Sequence, residues 1–204
     1  LTLTKSAPNV SLTKSGATGG VLRVNLRWSV AGGEQPVRRG FLSKLSGAQP
    51  QSAIDLDLGC LWEFSDGSKG VVQALGNSFE AGAAGQRVVW LDGDDRSGGG
   101  GENLYIDLTH AGLIRRVLVF AYIYDGVPNW AAADGAVTLF PVIGPQVEMR
   151  LDEPDPTAKS CAIALLTNDN GEVNVRREVR YIDGAQRALD AAYGWGMNWT
   201  PGRK

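Results

Sequence analysis

The chain has 204 residues, of which 43% are hydrophobic and 21% charged, and its net charge is −2; it is long enough to bury a core of ordinary globular make-up. Its cations are scattered and form no basic stripe, so no nucleic-acid partner is expected. Its longest apolar run, 117–123, is far short of the roughly 20 residues that a membrane-spanning helix needs.

In chain order, most of the apolar residues fall in short runs with a period of two, the signature of strands. Candidate strands lie at 10–13, 21–28, 55–64, 70–75, 88–91, 103–108, 115–124, 136–140, 146–151, 160–167 and 173–181. In the second, Leu22, Val24, Leu26 and Trp28 share one face and Arg23, Asn25 and Arg27 the other. In the last, Arg177 falls on the otherwise apolar side and needs an acid, a carbonyl or an exit to solvent, with Asp107 and Asp152 as candidate partners. Ser65-Asp66-Gly67, Asp125-Gly126 and Asn168-Asp169-Asn170-Gly171 mark turns, and the last is a strong hairpin signal. Many short strands separated by such turns predict a sandwich or a barrel. Two segments depart from this pattern. Residues 31–53 are polar and rich in Gly, Gln, Ser and Pro; they read as a mobile insertion, with a partner-docking segment as the alternative. Residues 184–193 form the best helix, with Ala188, Leu189 and Ala192 available to pack on a sheet. No second core is evident, so 1–204 reads as one domain.

The chemistry concentrates in residues 91–103, LDGDDRSGGGGEN. Calcium takes six to eight hard oxygen ligands from carboxylates, hydroxyls and backbone carbonyls. Asp92, Asp94, Asp95 and Glu102 supply carboxylates, Ser97 a hydroxyl, and the glycines, Gly93 among them, let carbonyls turn inward. The spacing is not that of an EF-hand loop. Upstream, Asp55 and Asp57 are two residues apart in a predicted strand, so both carboxylates face the same way. Two like charges side by side repel unless a cation lies between them; a metal ion shared with the 91–103 loop, or an arginine, would remove that conflict. The plainer alternative is a solvated acidic turn. Calcium is favoured over magnesium because all-protein cages suit it.

Several stretches together resemble the TerD family of tellurite-resistance and stress-response proteins. They are Leu3-Thr4-Lys5 with Val10-Ser11-Leu12-Thr13-Lys14, Asp55-Leu56-Asp57, Gly93-Asp94-Asp95-Arg96-Ser97-Gly98, Val117-Leu118-Val119-Phe120 and Tyr193-Gly194-Trp195-Gly196. The resemblance implies an all-β sandwich of two antiparallel sheets with short peripheral helices, calcium held between acidic loops, and a bacterial, cytoplasmic protein that acts with other stress-response proteins rather than by catalysis. It carries over Asp55 and Asp57, the 93–98 turn and Glu102 as the loop-closing acid. Arg96 would lend a carbonyl or pair with an acid. The chain departs from the family in running Gly98-Gly99-Gly100-Gly101 where relatives place further aspartates, and in lacking an Asn pair near Gln73-Ala74. One calcium ion, or two weaker sites, is therefore the expectation. A slime-mould relative described as cyclic-AMP-binding keeps an alternative open: a small-ligand module for a cyclic nucleotide or a carbohydrate.

The remaining reactive residues have plainer readings. Cys60 and Cys161 lie in apolar runs; thiols can reduce tellurite, but buried free cysteines usually pack a core and suit a reducing cytoplasm. The single histidine, His110, reads as loop surface and argues against zinc sites and Ser-His-Asp catalysis. Trp195 and Trp199 are expected to cover one end of the sandwich, Trp130 to cap a core from a loop, and Arg176, Glu178 and Arg180 to form a solvated ladder.

Overall fold

The computed structural model describes residues 1–29, 54–92, 101–126 and 129–200; the insertion expected at 31–53 lies outside them. The alternating runs become twelve strands: β1 (Asn9–Ser11), β2 (Val21–Arg27), β3 (Asp55–Phe64), β4 (Lys69–Val72), β5 (Glu80–Ala83), β6 (Gln86–Leu91), β7 (Glu102–Asp107), β8 (Ile114–Asp125), β9 (Gly135–Phe140), β10 (Val147–Leu151), β11 (Ser160–Asp169) and β12 (Glu172–Ile182). They form two six-stranded antiparallel sheets, ordered β1-β12-β11-β8-β3-β4 and β10-β9-β2-β7-β6-β5. This is the all-β sandwich that the resemblance implies.

One core cluster joins the facing sides. Leu22, Val24 and Leu26 of β2 and Leu104 and Ile106 of β7 meet Leu56, Leu58 and Cys60 of β3 and Val117, Val119 and Ala121 of β8. Alternation explains which residues face inward. β3, β8 and β11 are apolar on both faces because the outer face of their sheet is also covered. There Leu61, Leu118, Phe120, Tyr122 and Ala162 pack under Leu189 and Trp195. Gly59 permits this close packing, since a Cβ on it would lie 2.8 Å from both the Phe120 ring and the Val72 carbonyl oxygen.

The cover is built by α2 (Gln186–Tyr193) and the tail that follows it, while a 3-10 turn (Leu108–Leu113) and a second short helix, α1 (Trp130–Ala133), pack against the core between the sheets. α2 stops at Gly194, which is left-handed at φ 63°, and the chain then runs back over the sheet. Asp190 holds this tail by accepting from Gly196 N at 2.6 Å, Met197 N at 2.8 Å and the Trp199 indole at 2.8 Å. Arg116 lies 3.8 Å over the Trp195 ring and donates to the Tyr193 and Gly194 carbonyls and to Glu63. Trp195 is fully buried and donates to the Trp62 carbonyl. It therefore packs on the outer face of a sheet, where the sequence suggested that it covers one end of the sandwich.

Other expectations were met or displaced in physical terms. The 168–171 signal is the β11–β12 hairpin, closed by Asn170 and Gly171, both at positive φ, as a primed turn requires. Trp130 is buried and donates to the Ala158 carbonyl from a helical turn rather than a loop. His110 sits in the 3-10 turn, 3.8 Å from Asp107. Arg177 pairs with Glu153 at 3.9 Å rather than with Asp107 or Asp152. Arg177 keeps the inward side of β12 that Val173, Val175 and Val179 share, and the acid that reaches it, Glu153, follows β10 of the facing sheet. Among the described residues no helix is long and apolar enough to cross a membrane.

Candidate metal centre

β3 extends past the end of its neighbour. β4 pairs with it only from Cys60 to Glu63, so among the described strands none pairs with this side of β3 along Asp55–Gly59. Asp55 and Asp57 alternate with the inward-facing Leu56 and Leu58, so the two aspartates share one face of the strand, as expected. Asp57 is fully buried and Asp55 half-buried. Asp57 lies opposite Tyr122 of β8.

Glu102 approaches the same edge from the other sheet. It opens β7, where Glu102, Leu104 and Ile106 alternate inward, and it is 2% exposed. Its Oε2 accepts a hydrogen bond from Leu58 N at 2.5 Å. The loop-closing acid thus binds the backbone of the residue next to Asp57. Gly101 makes this entry possible. It has φ +72°, and a Cβ there would run into the Leu26 carbonyl oxygen, so the backbone leading into Glu102 demands glycine.

Asp92 is placed differently. It stands across from Asn103, with its N–H on the Asn103 carbonyl at 3.2 Å, and its side chain accepts from Asn103 Nδ2 at 2.9 Å and the Tyr105 hydroxyl at 3.2 Å. Asn103 in turn accepts from Arg23 at 3.1 Å and Asn25 at 2.9 Å. Asn103 and Tyr105 alternate with Glu102 and Leu104, so this network lies on the face of the sheet opposite Glu102. Burial, then the Asp92 charge, raise the Tyr105 hydroxyl above its usual pKa. The structure therefore brings Glu102 to the Asp57 strand and leaves Asp92 on the far side, where it pins the stem of the loop. The backbone N–H of Leu58 and the Asn103–Arg23–Asn25 network were not anticipated. Strict alternation along 102–107 would have separated the two faces.

Gly93, Asp94, Asp95, Arg96 and Ser97 lie outside the described residues, and among the described residues no three His, Cys, Asp or Glu side chains converge as a metal-holding group. The described donors are hard carboxylate oxygens, which suit calcium. Two of them, on Asp57 and Glu102, are buried, where a carboxylate needs positive charge or hydrogen bonds to offset desolvation.

The thiols stand apart from this region's chemistry. Cys60 and Cys161 are both free and fully buried. Burial pushes both thiols far above their ordinary pKa, and the thiolate is the reactive form.

No family model matches the chain. A protein of an Alcaligenes species, described as tellurium resistance protein TerA, is 43% identical to it over 206 aligned residues. The alignment covers 100% of this chain, which spans 58% of the length of that relative. Identity of that extent over the whole of this chain, on a sandwich of two antiparallel sheets, assigns the chain to the Ter family, as a TerD-like member.

Proposed function

We propose that the chain is a calcium-binding, non-catalytic stress-response module that contributes to tellurium resistance in the cytoplasm. One observation carries the metal reading: Glu102, at the end of the acidic glycine loop, binds the β3 backbone beside Asp57. The ion would join the two sheets at the edge of β3 beyond β4. Glu102 would reach it from the side between the sheets and Asp57, with Asp55, from the other face of β3 around the edge of the strand, and Asp94, Asp95 and Ser97 would complete the oxygen set. Its chemistry would be structural: neutralising clustered carboxylates and fixing the loop.

Tellurium resistance rests on the named relative. The buried thiols support a role other than direct reduction of tellurite, since neither Cys60 nor Cys161 offers an accessible thiolate. Action through other stress-response proteins fits a module of this kind, and two free cysteines suit a reducing compartment. The test is survival on tellurite of cells whose own copy is replaced by Asp57→Asn with Asp94→Asn, alongside Cys60→Ser with Cys161→Ser. The reading expects the first pair to lose protection and the second to retain it. Full protection from the aspartate variant, at equal protein level, would overturn the calcium role; lost protection from a folded cysteine variant would overturn the non-catalytic one.

A further inference from the structure

A cavity among the described residues lies beside the covering tail, away from the Glu102–Leu58 contact. It is a groove of about 720 Å³ between β4, the turn after it, the start of α2 and the 197–200 tail, a volume within the range of small-molecule sites. Its floor is polar and unusual. Gln73 and Gln186 are only 6% and 5% exposed, both line the groove, and their amides meet each other, Gln186 Nε2 donating to Gln73 Oε1 at 2.9 Å. That bond uses one donor and one acceptor. Gln73 Nε2 and Gln186 Oε1 have no partner among the described residues. A buried amide pair that leaves a donor and an acceptor facing a cavity presents a hydrogen-bonding edge to whatever fills it.

The walls add charge and a flat surface. Lys69 and Arg187 line the groove, and no carboxylate of the described residues lies within 4.0 Å of either cation. Each uses one donor on a tail carbonyl, Lys69 on Trp195 and Arg187 on Trp199, which leaves further N–H groups on both. None of the lining residues is acidic. Ala185, at the start of α2, makes no side-chain cap, so the positive end of the helix adds to the same field. Trp199 forms a wall, and its ring is fixed by its bond to Asp190 at 2.8 Å.

We infer that this groove binds a small organic anion whose flat body carries an amide-like donor–acceptor pair, with the anionic group held by Lys69 and Arg187, the amide read by Gln73 and Gln186, and the flat part lying against Trp199. This site does not depend on the calcium reading.

The test uses three probes on the full isotope-labelled chain, with a chelator present so that no metal bridges the ligand. Hippurate has a ring, an amide and a carboxylate. Hippuramide lacks the charge, and 4-phenylbutyrate keeps ring and charge but lacks the amide. Saturable shifts are expected from hippurate at the Gln73 and Gln186 side-chain amides and the Trp199 indole. The other two probes should bind about tenfold more weakly or worse, the loss expected when a charged or buried hydrogen bond goes unmade. Lys69→Gln with Arg187→Gln, which keeps donors but removes charge, should weaken hippurate by at least about tenfold in the folded protein. The absence of saturable shifts in the groove, or equal affinity for all three probes, would overturn the inference using the parent chain alone, whatever the variant's stability. Undiminished hippurate affinity in a folded double variant would do the same.

Discussion

Replacing Asp190 by alanine tests how the covering tail is held. Asp190 accepts from Gly196 N, Met197 N and the Trp199 indole at 2.6, 2.8 and 2.8 Å while itself 5% exposed. A hydrogen bond to a charged group contributes about 1.5–3 kcal/mol. The three share one acceptor, and two of the released N–H groups can recover water at the tail surface, so the sum does not apply. We expect Asp190→Ala to cost about 3–4 kcal/mol, lowering the melting temperature by about 10 °C at roughly 2–4 °C per kcal/mol for a chain of this size. Tryptophan fluorescence should shift red as Trp199 loses its partner and the cover over Trp195 loosens. The pH dependence has a defined sign. Burial acts to raise the Asp190 pKa, but the bonds from Trp199, Met197 and Gly196, with the charge of Lys69, outweigh it, and the carboxyl ends below its usual range. A depressed folded pKa gives stability that is present above the unfolded value of about 3.9 and is lost as pH falls through the folded one. The gap between parent and variant should therefore be constant above about pH 5 and close below about pH 4. A variant melting within about 2 °C of the parent at pH 7, or a gap that persists unchanged into acid, would refute this account of the tail.

Two further outcomes follow from the geometry. Gly101→Ala would force a Cβ against the Leu26 carbonyl at positive φ, so chemical denaturation should show a loss of about 2–3 kcal/mol with the slope unchanged; a loss under about 0.5 kcal/mol would contradict the close approach. Cys60 and Cys161, buried and held as thiols, should resist a disulfide-exchange reagent in the native protein and react at once after unfolding. Prompt labelling of either in the native state would show that the core opens.

Much of the sandwich could be read from alternation. Leu22, Val24 and Leu26 face inward from β2 as their period of two requires, and the Asn170-Gly171 turn forms the β11–β12 hairpin. β5 was missed because Glu80–Ala83 holds two alanines and a glycine on a sheet edge, where pairing rather than propensity defines the strand. α1 is a single turn, too short to show a helical period. The partner of Arg177 was misjudged because Glu153 comes from the segment after β10, and only the facing of the two sheets brings it there. At the metal centre, the shared face of Asp55 and Asp57 was legible, being local. That Glu102 would reach Leu58, 44 residues away, was not, because it depends on how the two sheets face each other. The placement of Asp92 on the opposite face from Glu102 is implied by strand alternation once β7 is known to begin at Glu102.

The central claim is that the Glu102 and Asp57 carboxylates form part of a calcium site. The most direct measurement is the melting temperature of chelator-stripped protein titrated with calcium, for the parent and for Glu102→Gln. Calcium at one hundred times its dissociation constant should stabilise the parent by about 2.7 kcal/mol, a rise of roughly 5–11 °C, and the rise should shrink to a small fraction of that in Glu102→Gln. A parent whose melting temperature does not move with calcium, or a variant that gains as much as the parent, would contradict the account.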